Sequence, residues 1–157
     1  MGEIPFTVDG APVDFARTVT YRGIMFTGVP NLAWTYGYGH YSWTLRVDLV
    51  GQFVCRLLQH MNRTGAISVV PSLRPGEESM ELKPWADTDY LNPGYLLRSL
   101  DRLPKRGDRP DWQHSQDYLY ESEAIPLVDL TDPLFSYGYQ TTPPIRATAR
   151  REENAPV

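Results

Sequence analysis

Apolar and polar residues follow a helical period over only one long stretch of this chain. From Ser42 to Met61, placed at about 100° per residue, Phe53, Leu57, Val50, Met61, Val54, Val47 and Leu58 fall within an arc of roughly 140°. Asp48, Gln52, Arg56, Gln59 and His60 fill the opposite side, with Leu45 and Leu49 intruding on it. This spacing predicts an amphipathic helix packed on a core. Mixed charge on its polar side argues against a membrane-surface helix. Ser42 is the expected N-cap, its hydroxyl placed to accept from a first-turn backbone N–H. Gly65 is suited to end the helix because glycine tolerates the left-handed conformation of a C-terminal cap.

Before the helix the pattern reads as short strands. Two β-prone pieces between Phe6 and Phe15 flank Asp9-Gly10, a dipeptide that favours a tight hairpin. Val19-Thr20-Tyr21 and Ile24-Met25-Phe26 read as extended, Gly28-Val29-Pro30-Asn31 as a turn, and Leu32 to Tyr36 as a short interior strand. After the helix, Ala66 to Val70 is a further strand ended by Pro71. Beyond it the texture becomes proline-rich. Helical pieces are expected over about Pro93 to Leu103 and over Asp111 to Ala124, the latter with Trp112, Tyr118 and Leu119 facing inward. The tail after Tyr139 lacks large apolar residues apart from Ile145 and Val157 and reads as disordered. The fold class is therefore α+β: a small mixed sheet, one long amphipathic helix and a loop-rich helical C-terminal extension. Its divisions are 1–71, 72–138 and a tail over 139–157.

Composition narrows the function. A net charge of −4 with no large basic block argues against nucleic-acid binding. One cysteine, Cys55, excludes an intrachain disulfide, and it reads as a semi-buried packing residue rather than an activated nucleophile. His40, His60 and His114 are too far apart in sequence for metal-ligand spacing. The N-terminus has no positive and apolar signal segment, and no apolar run has the length of a membrane span, so a cytoplasmic location is expected. Glu77-Glu78 and Glu121/Glu123 read as solvated faces.

The chemistry concentrates in Gly37-Tyr38-Gly39-His40-Tyr41-Ser42, which follows a strand and opens the helix. A helix start presents unpaired N–H groups and the positive end of the dipole, which suits an anionic or electron-rich ligand. The loop partly matches a dinucleotide fingerprint. Ser42 replaces the third glycine, however, and no acidic residue stands about 20 residues further on at the end of a second strand. The alternative is a glycine-rich connection required only by backbone geometry, in which Gly37 adopts a positive φ.

A collinear set of motifs then points to a family. It comprises Val19-Thr20-Tyr21-Arg22-Gly23, Phe26-Thr27-Gly28-Val29-Pro30-Asn31, Ser42-Trp43-Thr44-Leu45-Arg46-Val47-Asp48 and Phe53-Val54-Cys55-Arg56-Leu57-Leu58. It continues with Met80-Glu81-Leu82-Lys83-Pro84-Trp85, Asn92-Pro93-Gly94-Tyr95 and Trp112-Gln113-His114-Ser115-Gln116-Asp117-Tyr118. From about Val8 to Asp132 the chain resembles the C-terminal part of flavin-containing, class B monooxygenases of the Baeyer–Villiger type, most closely the ethionamide-activating subgroup. The resemblance implies a partial α/β FAD domain and an enzyme that uses FAD and NADPH to oxygenate ketones, sulfides or amines. It implies that Gly37, Tyr38, Gly39, Ser42, Trp43 and Thr44 line the flavin side of the cofactor pocket.

Departures from the family pattern set further expectations. The sequence contains no G-x-G-x-x-G turn, and in the family fingerprint F-x-G-x-x-x-H-x-x-x-W, read from Phe26, Leu32 stands at the histidine position. No catalytic residue is assigned, and negligible activity is expected from this polypeptide alone. Its expected partners are the N-terminal portion of such an enzyme, or a second copy of itself, and in the full enzyme a small organic substrate. The competing readings are a non-catalytic interaction module derived from such an enzyme, and generic small-ligand binding at the Gly37–Ser42 loop.

Overall fold

The computed structural model describes residues 4–87 and 93–140. Strands β1 (Thr7–Val8) and β2 (Ala11–Pro12) form the expected hairpin, with Asp9 and Gly10 both at positive φ (50° and 80°). Strands β3 (Thr20–Tyr21), β4 (Met25–Phe26) and β5 (Val29–Ala33) make an antiparallel meander. The turn before β5 is shorter than expected. Gly28 takes the positive φ of 73°, and Val29 and Pro30 already belong to the strand. That strand stops at Ala33, and Leu32 is only partly buried, because Asn31 at φ 58° breaks the regular pleat. The Asn31 side chain joins two sheets instead: its Nδ2 donates to the Ile67 carbonyl (3.1 Å) and its Oδ1 accepts from the Val69 N–H (3.0 Å).

Helix α1 spans Trp43–Thr64 and ends at Gly65, whose φ of 73° and N–H to the Met61 carbonyl form the expected left-handed cap. Its buried residues are Arg46, Leu49, Val50, Phe53, Leu57 and Met61, whereas Val47 and Leu58 are exposed. The core-facing arc is thus rotated by about 50° from the one drawn through the apolar residues alone. Its centre is a charged residue, Arg46. Cys55 is exposed rather than semi-buried. His60 is half-buried, with its ring 5.1 Å from that of Tyr137.

Strand β6 (Ala66–Pro71) pairs antiparallel with β9 (Phe135–Tyr139), a strand the proline-rich texture concealed. Strands β7 (Leu82–Pro84) and β8 (Lys105–Gly107) form a further antiparallel pair. Hence there are several small antiparallel sheets instead of one mixed sheet, and the parallel element among the described residues is the single bridge Val19–Lys105. One core joins α1 to the rest through Tyr21, Phe53, Val69, Trp112, Leu134 and Phe135.

The two later helices are shorter than expected. Helix α2 covers only Gly94–Leu97, one turn with Leu96 buried, and continues as turns, with Leu100 and Leu103 packed on the same cluster as Leu96. The stretch expected as one helix from Asp111 to Ala124 is a 3-10 turn (Pro110–Trp112), an irregular segment, and helix α3 (Tyr118–Ala124). Gln116 at φ 57° interrupts it, and Asp117 caps α3 by accepting from the Leu119 and Tyr120 N–H groups (3.0 and 3.2 Å). Trp112 is buried as expected, Tyr118 half-buried and Leu119 exposed. Asn92 of the family motifs and the tail from 141 lie outside the described residues, while Tyr139 closes β9.

Candidate functional site

The glycine loop is held from behind by a charged cluster. Arg46, on the first turns of α1, projects inward and is fully buried. Its Nε donates to Glu121 Oε2 (2.9 Å), its Nη1 to the Tyr36 carbonyl (2.8 Å) and its Nη2 to the Arg22 carbonyl (2.7 Å). Glu121, on α3, also accepts from the Tyr38 hydroxyl (2.6 Å) and from the Ser115 N–H and hydroxyl (both 3.3 Å). A buried charge is tolerable only when paired and hydrogen-bonded, and both conditions are met here. Tyr38 is thereby an inward anchor. Burial, followed by its bond to Glu121, pushes its phenol well above the usual tyrosine range.

A second tie comes from Gln116. Its Oε1 accepts from the Gly39 N–H (2.8 Å) and its Nε2 donates to the Gly37 carbonyl (3.2 Å). Gly37 has no positive φ, contrary to expectation. A Cβ there would run into the Trp43 ring, so a larger residue would force that ring to move. Ser42 occupies the N-cap position, but its hydroxyl bonds to Thr44 Oγ1 (2.7 Å) and not to a backbone N–H, so the expected side-chain cap is not formed. The N–H groups of Trp43 and Thr44 therefore have no acceptor among the described residues. Of the six expected site residues, Gly37 and Tyr38 are buried, and Gly39, Ser42, Trp43 and Thr44 are exposed.

Beside the loop lies a cavity of about 550 Å³, lined by Gly39, His40 and Tyr41 of the loop and by the rings of Tyr36, Trp85 and His114. The Trp85 and His114 ring centres are 4.2 Å apart, and Tyr36 stands 5.7 Å from Trp85 and 5.6 Å from Trp43. His114 donates from Nε2 to the Trp85 carbonyl (2.7 Å), which leaves Nδ1 as a buried acceptor without a partner. Burial lowers its pKa to about 4, so it is neutral near pH 7.

The residues fit a planar, electron-rich ring at the start of α1. The first turn of α1 has two uncapped amides and no acidic residue, and the cavity beside the loop offers the aromatic faces of Tyr36, Trp85 and His114 together with Arg106, Asp87 and Asp117; Gly39 lines it, Trp43 and Thr44 do not. Among the described residues no cluster of His, Cys, Asp and Glu suits a metal ion, and no helix is long and apolar enough to cross a membrane.

Sequence reasoning located the loop but missed its anchors. Glu121 and Glu77, expected on solvated faces, are buried. Glu77 accepts from the Trp112 indole (2.9 Å) and the Arg74 N–H (2.9 Å). Burial opposes its charge, but these bonds and the Arg74 charge together hold its pKa below the usual glutamate value. The available signal was the spacing of Arg46 from Leu49, Val50 and Phe53, which puts a cation on the apolar face and demands a buried anion.

The loop-to-helix junction lies inside the stretch that this chain shares with proteins of known name. The chain is homologous to part of the FAD-containing monooxygenases. It is 42% identical over 137 residues to FAD-containing monooxygenase EthA of Mycobacterium tuberculosis, a match covering 87% of this chain and 27% of that protein. It is 33% identical over 141 residues to the probable FAD-binding monooxygenase AlmA of Acinetobacter baylyi (90% and 28%). It is also 33% identical over 135 residues to the putative FAD-containing monooxygenase MymA of Mycobacterium tuberculosis (85% and 26%). The chain thus spans about a quarter of the length of the curated relatives it matches. No family model and no solved structure matches it.

Proposed function

We propose that this chain forms the flavin-facing closure of an FAD- and NADPH-dependent monooxygenase of the Baeyer–Villiger type, acting on small ketones, sulfides or amines. The observation that carries this reading is the 42% identity with EthA across 87% of the chain, a stretch that includes the loop and α1. When bound, FAD supplies the redox chemistry that moves one oxygen atom of dioxygen to the substrate.

The chain's own residues bind, orient and exclude. Trp43 and Thr44 present backbone N–H donors at the positive end of the α1 dipole, a field aimed at the electron-rich edge of the ring. Gly37 lets the Trp43 ring lie against the loop backbone. Tyr38 holds the loop through its buried bond to Glu121 and Gly39 through its bond to Gln116, and Ser42 and Thr44 complete the polar edge. Tyr36, Trp85 and the neutral His114 wall off the neighbouring cavity, keeping water from one side. Holding the cofactor's diphosphate falls to polypeptide corresponding to the remainder of the relatives.

Co-expression with that remainder, taken from an EthA-like enzyme, tests the reading. The expected product is a yellow complex that oxidises NADPH faster when a ketone or sulfide is added. A soluble, co-purifying complex that is colourless would overturn it.

A second reading, a non-catalytic interaction module, is favoured by the outward apolar side chains Trp43, Val47 and Leu58 on α1. It predicts a colourless, cooperatively melting homo-oligomer of this chain in solution.

A further inference from the structure

Gln116 is held in an unfavourable backbone conformation and uses its whole side-chain amide on the loop. Its φ of 57° lies in the left-handed region that side chains other than glycine rarely adopt. Strain of this kind persists where surrounding structure over-determines it. Here Asp117 begins α3 immediately after it, and Ser115 immediately before it is bonded to Glu121. The strained residue is thus fixed on both sides. Its Oε1 and Nε2 then reach almost 80 residues back in sequence to span Gly37 and Gly39.

We infer that Gln116, backed by Glu121, is a positioning residue for the Gly37–Thr44 loop, occupying the Gly39 N–H so that an electron-rich ligand meets the amides of Trp43 and Thr44 instead. Gly39 lines the cavity beside the loop, so its N–H would otherwise be a donor competing with those of the helix start. With Gly39 engaged, the open donors converge on the helix start, where the dipole adds to them. The ligand half of this inference rests on the flavin-facing reading above; the clamp itself does not.

The variant Gln116→Gly separates positioning from mere support, because glycine accepts the backbone conformation while removing both bonds. In the full chain, amide hydrogen exchange at Gly39 is expected to accelerate about fivefold or more, as loss of one neutral hydrogen bond implies. Exchange at core amides such as Val69 and the urea midpoint should hold or improve. Gln116→Glu keeps an acceptor for Gly39 but no donor for Gly37, and should restore Gly39 protection. In the complemented complex, FAD affinity should fall about fivefold with glycine and recover in part with glutamate. Unchanged Gly39 exchange in Gln116→Gly, or exchange that rises only in step with global unfolding, would overturn the clamp. Faster Gly39 exchange with unaltered FAD affinity would overturn its role toward the ligand. A wild-type complex that takes up no FAD would defeat the functional reading while leaving the exchange result to decide the clamp.

Discussion

Two arginine–carboxylate clusters hold this molecule together, and they differ in depth. The Arg46 side chain is 0% exposed and that of Glu121 5%. Arg74, which pairs with Asp132 (2.8 Å), Asp111 (3.0 Å) and Glu77 (3.3 Å), is 29% exposed, and Asp111 and Asp132 are 26% and 31% exposed. More partners surround the outer arginine, yet the inner pair matters more. Water can reach Arg74, Asp111 and Asp132 when one of them is lost, and the buried Glu77 (7% exposed) keeps its bonds to the Trp112 indole and the Arg74 N–H, whereas removing one of the inner pair strands a charge in the interior. The inner cluster also carries the geometry of the candidate site, since its bonds end on Tyr36, Tyr38 and Arg22.

The largest expected effect follows directly. Glu121→Ala should destabilise the fold by about 3–5 kcal/mol in urea denaturation, because Arg46 is left buried and unpaired. A loss under about 1 kcal/mol would place Arg46 in contact with water and erase the contrast between the clusters. Next in size is the apolar stripe on which Arg46 stands. Leu57→Ala, at a buried position, should cost about 2–5 kcal/mol, and the exposed Val47→Ala well under 1. Equal losses would mean that the helix face is turned as the apolar arc suggests rather than as observed.

His114 gives the contrast a pH dependence. Its folded pKa, about 4, lies below the ordinary 6.5, so the unfolded chain binds its proton first. Stability should therefore fall as pH drops from 6.5 toward 4, by at most ~1.4 kcal/mol per pH unit, and His114→Gln should remove that slope. The outer cluster responds lower on the scale. The bond from Arg74 holds the Asp132 pKa down and Glu77 is lowered as well, so their contribution is lost only below the usual carboxylate values. Denaturation midpoints followed from pH 7 to 3 separate the two windows; a slope between 6.5 and about 5, above the carboxylate window, that survives in His114→Gln would contradict the assignment. The smallest effect belongs to the outer cluster near neutrality. Arg74→Ala should cost about 1 kcal/mol or less, shrinking further in high salt, as calorimetry at two ionic strengths can show.

The same contrast explains how much the sequence disclosed. Features governed by local rules were legible: the Asp9-Gly10 hairpin, the body of α1, its Gly65 stop, and β6. The Gly37–Ser42 stretch was legible as a connection into α1, because the start of the helix follows from residues adjacent in sequence. The anchors were not. Arg46 and Glu121 are 75 residues apart: helical spacing puts Arg46 on the apolar face without naming its anion, and Glu121 reads as solvated until Arg46 is placed against it. Strand β9 was hidden for a similar reason, since Phe135–Tyr139 is extended through pairing with β6 and not through its own pattern. Gly37 does not take the positive φ expected of it; what stands against a larger residue there is the Trp43 ring.

The claim that the start of α1 faces a flavin is tested most directly by titrating FAD into the isotope-labelled full chain and following backbone amide resonances, for which weak binding suffices. The largest shifts should fall on Trp43 and Thr44, with Gly39 moving less because its N–H is already engaged. Shifts that spare residues 36–44, or that gather instead along the β6–β9 pair, would contradict it.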